Sequence, residues 1–261
     1  MKLRPWLELT RISNVPTVWS NVIHGMGAAW FVQVVRPVRD GYMQPFPIGW
    51  PDLGRFLDAG FPLLIGMSLL YGGGMVLNDV CDSVIDREER PQRPIPSGRV
   101  GRRAAAGLAG GLLLAGWLCT MVYAPPVVWI AFGLILSITA YNLWHRIRVI
   151  GLLLMPLCRG LLVLTAAATV RSGVSDGTLV SPLILCSALS VAGYTLAITL
   201  AAWHEARPGL QWIGPWIGVL IAAMPLIDAT YLLAFGLWPL AVFCFGCFAL
   251  SVAGQRWIRG S

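Results

Sequence analysis

Residues 78 to 86 hold an unusual concentration of oxygen ligands. Asn78, Asp79, Asp82 and Asp86 stand at the end of a strongly apolar segment. Three of them, at 78, 82 and 86, are four residues apart, so a helix would place them as a stripe on one face. A carboxylate at membrane depth costs roughly 2.5 to 3.5 kcal/mol on insertion scales, so several of them in one place indicate a functional site. Such a stripe favours Mg2+, which proteins hold through one or two carboxylates plus substrate phosphates.

Arginines and prolines follow the acidic residues directly. Arg90 and Arg93 carry planar guanidinium groups that suit phosphate oxygens. Prolines at 91, 94 and 96 fix φ and remove amide donors, which predicts a stiff loop in place of a helix. The loop would hold the two arginines over the metal. The pattern therefore predicts a site for a metal-bound phosphate or diphosphate.

The elements that must position this site are membrane helices. The chain of 261 residues is 57% hydrophobic and only 12% charged, against about 25% charged in a soluble domain. Spanning a bilayer takes about 20 apolar residues. Eight stretches meet this length, at 13–34, 61–80, 104–123, 125–143, 150–169, 180–203, 210–228 and 231–253. We expect one all-α transmembrane bundle over 1–261, with the split at 228–231 marked only by Asp228-Ala229-Thr230.

Charge placement gives the expected orientation. Most lysines and arginines fall in segments on one side of the predicted spans, which indicates that both termini are cytoplasmic. The net charge of +7 is then explained by topology, by anionic lipid headgroups or by a phosphorylated ligand. Nucleic-acid binding would need a basic soluble face, and the sequence shows none. We expect an integral protein of a bacterial inner membrane.

Three segments together resemble the UbiA superfamily of intramembrane prenyltransferases. The acidic block with Arg90, Arg93 and Pro94-Ile95-Pro96-Ser97-Gly98 resembles the first aspartate-rich motif of that superfamily. The other two segments are Arg11-x-x-Asn14-x-x-Thr17-x-x-x-Asn21 with Gly25, and Tyr141-Asn142-x-x-His145-Arg146.

The resemblance implies a helical bundle, usually of nine spans, around a central cavity that opens to the cytoplasmic side. It implies Mg2+ and an isoprenyl diphosphate such as geranylgeranyl or farnesyl diphosphate. Asn78, Asp82 and Asp86 would then hold the metal and the diphosphate, and Arg93 would contact the diphosphate. Asp79 is a further metal candidate.

The second half of the chain departs from the superfamily pattern. A second aspartate-rich motif is expected near the end of the sixth span, but that region retains only Glu205, with His204 beside it. Either the pair is a solvated helix end, or Glu205, with or without His204, forms a reduced second site or an acceptor-side base. In this the chain resembles the divergent EboC-like branch of the superfamily.

Other polar residues are candidates for substrate binding. Arg159 interrupts an apolar run, where an arginine should face the bundle interior. It could contact substrate or pair with a buried carbonyl. Asn21 could bind substrate or bond a neighbouring helix. Tyr141 and Arg146 follow from the resemblance and from the charge of a diphosphate.

The leading hypothesis is Mg2+-dependent transfer of a prenyl group from an isoprenyl diphosphate to a small acceptor. Asp82, Asp86 and Glu205 are its catalytic candidates, and the prenyl tail would reach the membrane lipids. The acceptor stays open among an aromatic ring, a phosphorylated polyol and a cyclitol-like alcohol. A terpene cyclase and a non-catalytic carrier of isoprenoid lipids are the alternatives.

Overall fold

The computed structural model describes residues 3–35, 40, 50–171, 181–205 and 209–257. Within these residues the chain folds into ten α-helices, with no strand. The helices are α1 Arg4–Leu9, α2 Val15–Trp30, α3 Trp50–Asp82, α4 Asp86–Glu89, α5 Arg102–Leu118, α6 Pro125–Trp144, α7 Arg148–Arg171, α8 Pro182–Glu205, α9 Gly214–Ala234 and α10 Trp238–Trp257. The all-α prediction is confirmed.

Seven of these helices are long and apolar enough to cross a membrane: α3 and α5 to α10. Large apolar side chains such as Trp129, Leu153 and Leu189 are exposed on their outer faces, as lipid contact requires. The predicted span 13–34 corresponds to α2, whose 16 residues are fewer than the other seven have. The count of eight spans, the side on which the termini lie and the identity of the membrane stay predictions.

The predicted break at 228–231 is wrong. Helix α9 continues through this segment to Ala234, and the turn follows at Gly236, whose φ of +77° suits a residue without a Cβ. Asp228 is fully buried within the helix. Its partners lie on α2, so the local Asp-Ala-Thr sequence gave a misleading turn signal.

Helix α2 lies at the centre of the bundle and packs against α3, α7, α9 and α10. Nearly all of its residues are buried. Gly25 permits the closest of its approaches, because a Cβ there would overlap the carbonyl oxygen of Val163 on α7. Small residues allow such backbone contact between membrane helices. The polar residues of α2 are thereby brought against α7.

Helices α3 and α5 also cross at small residues. A Cβ on Gly116 would lie 2.7 Å from the Gly66 carbonyl oxygen, and Gly73 meets the backbone of Ala109 and Leu113 closely. This contact fixes α3 along most of its length. The end of α3, which carries the acidic block, is therefore held by the bundle.

Candidate functional site

The acidic block is divided by the end of α3. Asn78 and Asp82 lie one turn apart on this helix, and the Asn78 amide donates to Asp82 Oδ2 at 3.2 Å. The helix ends at Asp82, and Asp86 begins the separate one-turn helix α4. The prediction of a single helical stripe is therefore wrong at Asp86, although Asn78 and Asp82 do share a face.

Asp79 and Asp86 form an ion-pair cluster with two arginines. Arg93 Nη1 donates to Asp86 Oδ2 at 2.8 Å and to Asp79 Oδ1 at 3.4 Å. Arg11 Nη2 donates to the same Asp79 oxygen at 3.4 Å. Arg93, Asp79 and Asp86 are all buried. Two of the four predicted metal residues are thus held by the guanidinium groups of Arg11 and Arg93.

The loop after α4 is a series of turns, as its prolines predict. The amide and hydroxyl of Ser97 both donate to the Arg93 carbonyl oxygen, at 3.0 and 2.7 Å. The loop directs Arg93 inward to the two carboxylates, while Arg90 is exposed on its surface. The two arginines therefore occupy different environments, although they are only three residues apart.

Asp82 has a second set of partners after α6. His145 Nε2 lies 3.3 Å and Arg146 Nη2 lies 3.5 Å from Asp82 Oδ1. The segment Tyr141 to Arg146 thus meets the acidic block, from which it is distant in sequence. His145 had been quoted in the sequence pattern without a role, and its contact with Asp82 adds it to the site.

The oxygen donors at the end of α3 can be tested against the needs of Mg2+. The described part of the chain brings no three His, Cys, Asp or Glu side chains together in a metal-binding cluster. Asn78 and Asp82 together offer one amide and one carboxylate. That set fits an ion whose remaining ligands are phosphate oxygens and water. It does not fit an ion bound by protein alone.

A central cavity of about 170 Å³ extends into the bundle from this region. Its wall is mostly apolar, with side chains such as Leu134, Ile138 and Met224. Four polar residues line it towards the acidic block: Arg11, Asn14, Tyr141 and Asn142. The cavity therefore combines an apolar body with polar groups that converge, as small-molecule sites do.

Two further hollows adjoin the cavity, each sharing one of its residues. A groove of about 310 Å³ shares Tyr141 and is lined by His145, Leu152, Thr199 and Trp203. A pocket of about 430 Å³, here called the rim pocket, shares Arg11. It is lined also by Arg4, Glu8, Asp79, Gln92, Arg93, Pro94, Arg99, Arg256 and Trp257. Arg11 and Tyr141 thus stand at the two junctions.

Arg159 and Asn21 meet at the cavity wall. Arg159 lines the cavity, and its Nη1 donates to Asn21 Oδ1 at 2.9 Å. Asn21 in turn donates to Asp228 Oδ2 at 2.8 Å, and His24 Nδ1 lies 2.8 Å from the other oxygen of that carboxylate. Sequence reasoning placed Asp228 in a turn. Its one available signal was an acidic residue within an otherwise apolar stretch.

Glu205 and His204 lie apart from these hollows. The His204 ring donates from Nδ1 to the Leu200 carbonyl oxygen at 2.7 Å. The Glu205 carboxylate lies against Gly214, where a Cβ would overlap Glu205 Oε1. Gly214 begins α9, and carboxylates are stabilised at helix N-termini. Neither residue lines the three described hollows.

Sequence comparison finds relatives that align with up to 72% of this chain. Several of these alignments cover less than half of the length of the relative. A digeranylgeranylglyceryl phosphate synthase of Sulfolobus acidocaldarius is 31% identical over 58% of this chain and 46% of its own length. The corresponding protein of Haloquadratum walsbyi is 27% identical over 72% and 73%. A protoheme IX farnesyltransferase of Bdellovibrio bacteriovorus is 36% identical over 41% and 37%. The chain thus matches less than half the length of several of these relatives.

Solved structures share the fold at low sequence identity. A UbiA homologue from Archaeoglobus fulgidus, bound to DMAPP and Mg2+, superposes with a TM-score of 0.56 at 14% identity, covering 96% of this chain and 99% of its own. A structure described for digeranylgeranylglyceryl phosphate synthase gives 0.57 at 18%, covering 98% and 95%. The profile of the UbiA prenyltransferase family matches residues 49–260. This chain therefore belongs to the UbiA prenyltransferase family.

Proposed function

We propose that the chain transfers a prenyl group from an isoprenyl diphosphate to a small acceptor, with Mg2+ as cofactor. One observation carries the proposal. The Asn78–Asp82 oxygen pair begins one turn beyond Gly74 of the cavity wall on α3, and Arg11 lines both the apolar central cavity and the polar rim pocket. A prenyl diphosphate has the matching division, with a charged head and an apolar tail. Relatives named as prenyltransferases support the reaction class.

The diphosphate head would be neutralised by arginines that the site already holds. Arg11 and Arg93 bind Asp79, and Arg93 also binds Asp86. A diphosphate that takes over these guanidinium groups would free both carboxylates to face the metal. Arg146, which lies beside Asp82, and Arg90, which is exposed, would add positive charge near the diphosphate from the surface of the protein. We therefore keep Asp79 and Asp86 as metal candidates in the loaded state only.

The tail would pass Tyr141 into the groove, which leaves the deep end of the cavity at Arg159 and Tyr71 free. Ligand sites for drug-sized molecules are about 300 to 1,000 Å³, so the cavity of about 170 Å³ is short for a long prenyl chain. The groove adds an apolar path beside Leu152 and Trp203. Farnesyl and geranylgeranyl chains would extend along it towards the lipid.

The chemistry needs a stabilised leaving group and a dry cavity. When bound, Mg2+ would supply a Lewis acid for the oxygens on which charge develops. The allylic C–O bond breaks and its electron pair stays on the diphosphate. The acceptor nucleophile forms the new bond to the same carbon, and its proton passes to the released diphosphate. Arg11, Arg93 and Arg146 would hold the charge of the leaving group in a region poor in water, where such contacts are strong. The apolar wall excludes water from the allylic cation.

The acceptor stays open among the three chemical classes named above. The relatives differ in this respect, since their names point to a glyceryl phosphate in one case and to a protoheme in the other. Glu205 and His204 receive no step in the proposal because their described contacts lie away from the acidic block: His204 bonds the Leu200 carbonyl oxygen, and Glu205 lies against Gly214.

A non-catalytic prenyl diphosphate carrier is the second candidate. The observation that favours it is the pairing of Asp79 and Asp86 with arginines, which leaves one carboxylate at the end of α3 clear of that cluster. A carrier needs charge complementarity for the diphosphate but no leaving-group chemistry. Binding without turnover is its distinguishing result.

The deciding experiment measures both binding and turnover. Full-length protein in lipid nanodiscs would be given geranylgeranyl or farnesyl diphosphate, Mg2+ and a panel of acceptors from the three classes. Release of inorganic diphosphate with a prenylated product supports transfer. Hydrocarbon products without an acceptor would show a cyclase, and binding with no release would show a carrier. Asp82→Ala should abolish release, whereas Glu88→Gln, a change of an exposed acid on α4, should not.

A further inference from the structure

Arg159 is a cationic side chain in the middle of a membrane helix. It lies near the midpoint of α7, and its guanidinium lines the apolar central cavity. Charged residues at this depth are costly, face the interior and mark pathways or binding sites by default. The role assigned to the acidic block does not require a cation here.

The contacts of Arg159 are with neutral groups. Its Nη1 donates to Asn21 Oδ1 at 2.9 Å and to the Thr17 carbonyl oxygen at 3.5 Å, and its Nη2 donates to Thr17 Oγ1 at 3.1 Å. Its guanidinium carbon lies 5.8 Å from the centre of the Tyr71 ring. Among the described residues no carboxylate lies within ion-pair distance of Arg159. With five N–H donors, the guanidinium has capacity for one more partner.

A buried polar frame fixes this guanidinium in place. Thr17, Asn21, His24 and Asp228 are each fully buried. The Asn21 amide nitrogen is committed to Asp228, so its oxygen must face Arg159. His24 holds the second oxygen of the same carboxylate. Asp228 is therefore a positioning residue, which orients Arg159 through Asn21.

The geometry points to a deep anion subsite, and we propose that Arg159 binds an anionic group of the acceptor, a carboxylate or a phosphate. This inference rests on the proposed function for its assignment to the acceptor. Guanidinium groups bind both anions through paired N–H donors. The frame supplies the fixed orientation that such pairing needs.

Charge favours the acceptor over the donor as the source of the anion. The donor diphosphate is matched by Arg11, Arg93 and Arg146 at the end of α3. The cation of Arg159 is separated from the Asp228 carboxylate by Asn21, so on its cavity side it would oppose the allylic cation, because like charges repel strongly where the dielectric constant is low. An acceptor anion on Arg159 removes that repulsion at the moment the C–O bond breaks.

Helix geometry limits the size of the acceptor. Tyr71, which lies against Arg159, and Asn78 are on the same helix, and a rise of 1.5 Å per residue separates them by roughly 10 Å. The anionic group would lie near Tyr71 and the attacking atom near the diphosphate. The acceptor is therefore a compact molecule in which the anionic group and the attacking atom are separated by less than about 10 Å.

Anion binding can be measured without turnover. Benzoate and methyl phosphate are the two anionic probes, and benzamide is the neutral match for benzoate. Full-length protein in nanodiscs should show a saturable rise in melting temperature with at least one anion and none with benzamide. The anion that binds more tightly distinguishes a carboxylate acceptor from a phosphate acceptor.

Three variants locate the binding. Arg159→Gln should weaken anion binding by about tenfold or more, the effect of losing a charge-assisted hydrogen bond. Arg159→Lys should retain part of it, which also controls for loss of fold. Arg4→Gln changes an exposed arginine of the rim pocket and should leave anion binding intact. Equal binding by wild type and Arg159→Gln would overturn the inference.

Donor binding separates this inference from the proposed function. Arg159→Gln should bind geranylgeranyl diphosphate with Mg2+ as wild type does, while it loses the anionic probe. Equal loss of both would place the donor at Arg159 and overturn the acceptor assignment. A wild type that binds the probe through Arg159 but transfers no prenyl group would contradict the proposed function and leave the anion subsite standing.

Discussion

The amide of Asn21 on α2 donates to the carboxylate of Asp228 on α9 at 2.8 Å, although 207 positions separate them in sequence. Both side chains are fully buried, and His24 holds the other oxygen of the carboxylate. This contact joins α2, at the centre of the bundle, to a helix of the second half of the chain. Because Asn21 also contacts Arg159 in the cavity wall, the position of this wall depends on the packing of α2 against α9.

Asp228→Ala should destabilise the fold. The change leaves the Asn21 amide and the His24 ring without their partner in a buried region, at a cost of about 1 to 3 kcal/mol. Unfolding in mixed micelles with increasing SDS would measure the free energy. Thr230→Ala is the matched control on the same helix, because Thr230 is exposed and bonds only the Leu226 carbonyl oxygen. Equal stability of the two variants would contradict the role given to Asp228.

Gly25→Val should separate α2 from α7. A Cβ at this position would overlap the Val163 carbonyl oxygen and approach the Ala166 Cβ at 2.9 Å. Overpacking of this kind costs about 1 to 3 kcal/mol. The shift should also weaken anion binding at Arg159, because Thr17 and Asn21 move with α2.

Gly133→Ala is the control for this change. It lies in α6 with open space around its Cβ position, so it should be neutral or raise stability by up to about 1 kcal/mol through helix propensity. Melting temperatures of the two variants would show the difference. A Gly25→Val protein as stable as wild type would mean that the two helices are not in close backbone contact.

Arg93→Gln and Arg90→Gln should have different consequences. Arg93 is buried against Asp79 and Asp86, so its loss leaves carboxylates uncompensated and should cost up to about 3 kcal/mol of stability. Arg90 is exposed, so its loss should stay within about 0.5 kcal/mol. Chemical denaturation measures both values. Similar losses of stability would show that the loop does not depend on Arg93.

Removal of Mg2+ should weaken binding of the donor. Before the diphosphate binds, Asp79 and Asp86 are held by Arg11 and Arg93, which leaves Asn78 and Asp82 as the metal donors, so the ion and the diphosphate depend on each other for ligands. EDTA should therefore lower the affinity for geranylgeranyl diphosphate but leave that for geranylgeraniol unchanged. Asp82→Asn should reduce the Mg2+ effect by about tenfold or more. Binding that is indifferent to EDTA would exclude the proposed metal site.

Glu205→Gln should leave prenyl transfer within about threefold of wild type. The carboxylate lies against the first residue of α9, where its loss costs about 0.3 to 1 kcal/mol of helix stabilisation. A rate assay with saturating donor would measure the effect. A loss comparable to that of Asp82→Ala would instead show that Glu205 acts in catalysis.

The helices could be predicted from sequence because each apolar run of membrane length forms its own backbone hydrogen bonds. The stiff loop after α4 followed from its prolines in the same local way. The end of α3 could not be placed, since four-residue spacing is satisfied equally by a helix that continues and by one that stops at Asp82. In the structure the helix stops at Asp82, and Asp86 accepts a hydrogen bond from Arg93.

The rest of the site could not be predicted because it depends on contacts between residues that are distant in sequence. Asp228 in an Asp-Ala-Thr sequence gives a turn signal, and only its partners on α2 explain an acid inside a helix. Likewise, the meeting of Asp82 with His145 and Arg146 depends on how α3 packs beside α6. The resemblance to UbiA proteins predicts that these segments share one site, but it does not give the contacts between them.

Arg11 has a backbone φ of 45°, rare for a residue with a side chain, and its guanidinium belongs to both the rim pocket and the central cavity. The carboxylate of Asp79 already holds this guanidinium, as a phosphate later would. In the site without ligand, the Asp79 carboxylate thus occupies the anion position on Arg11 that the proposed diphosphate would take. Binding of the donor then exchanges one anion on Arg11 for another. The affinity for the donor should therefore depend on the strength of the Arg11–Asp79 ion pair as much as on the strength of the contact between Arg11 and the diphosphate.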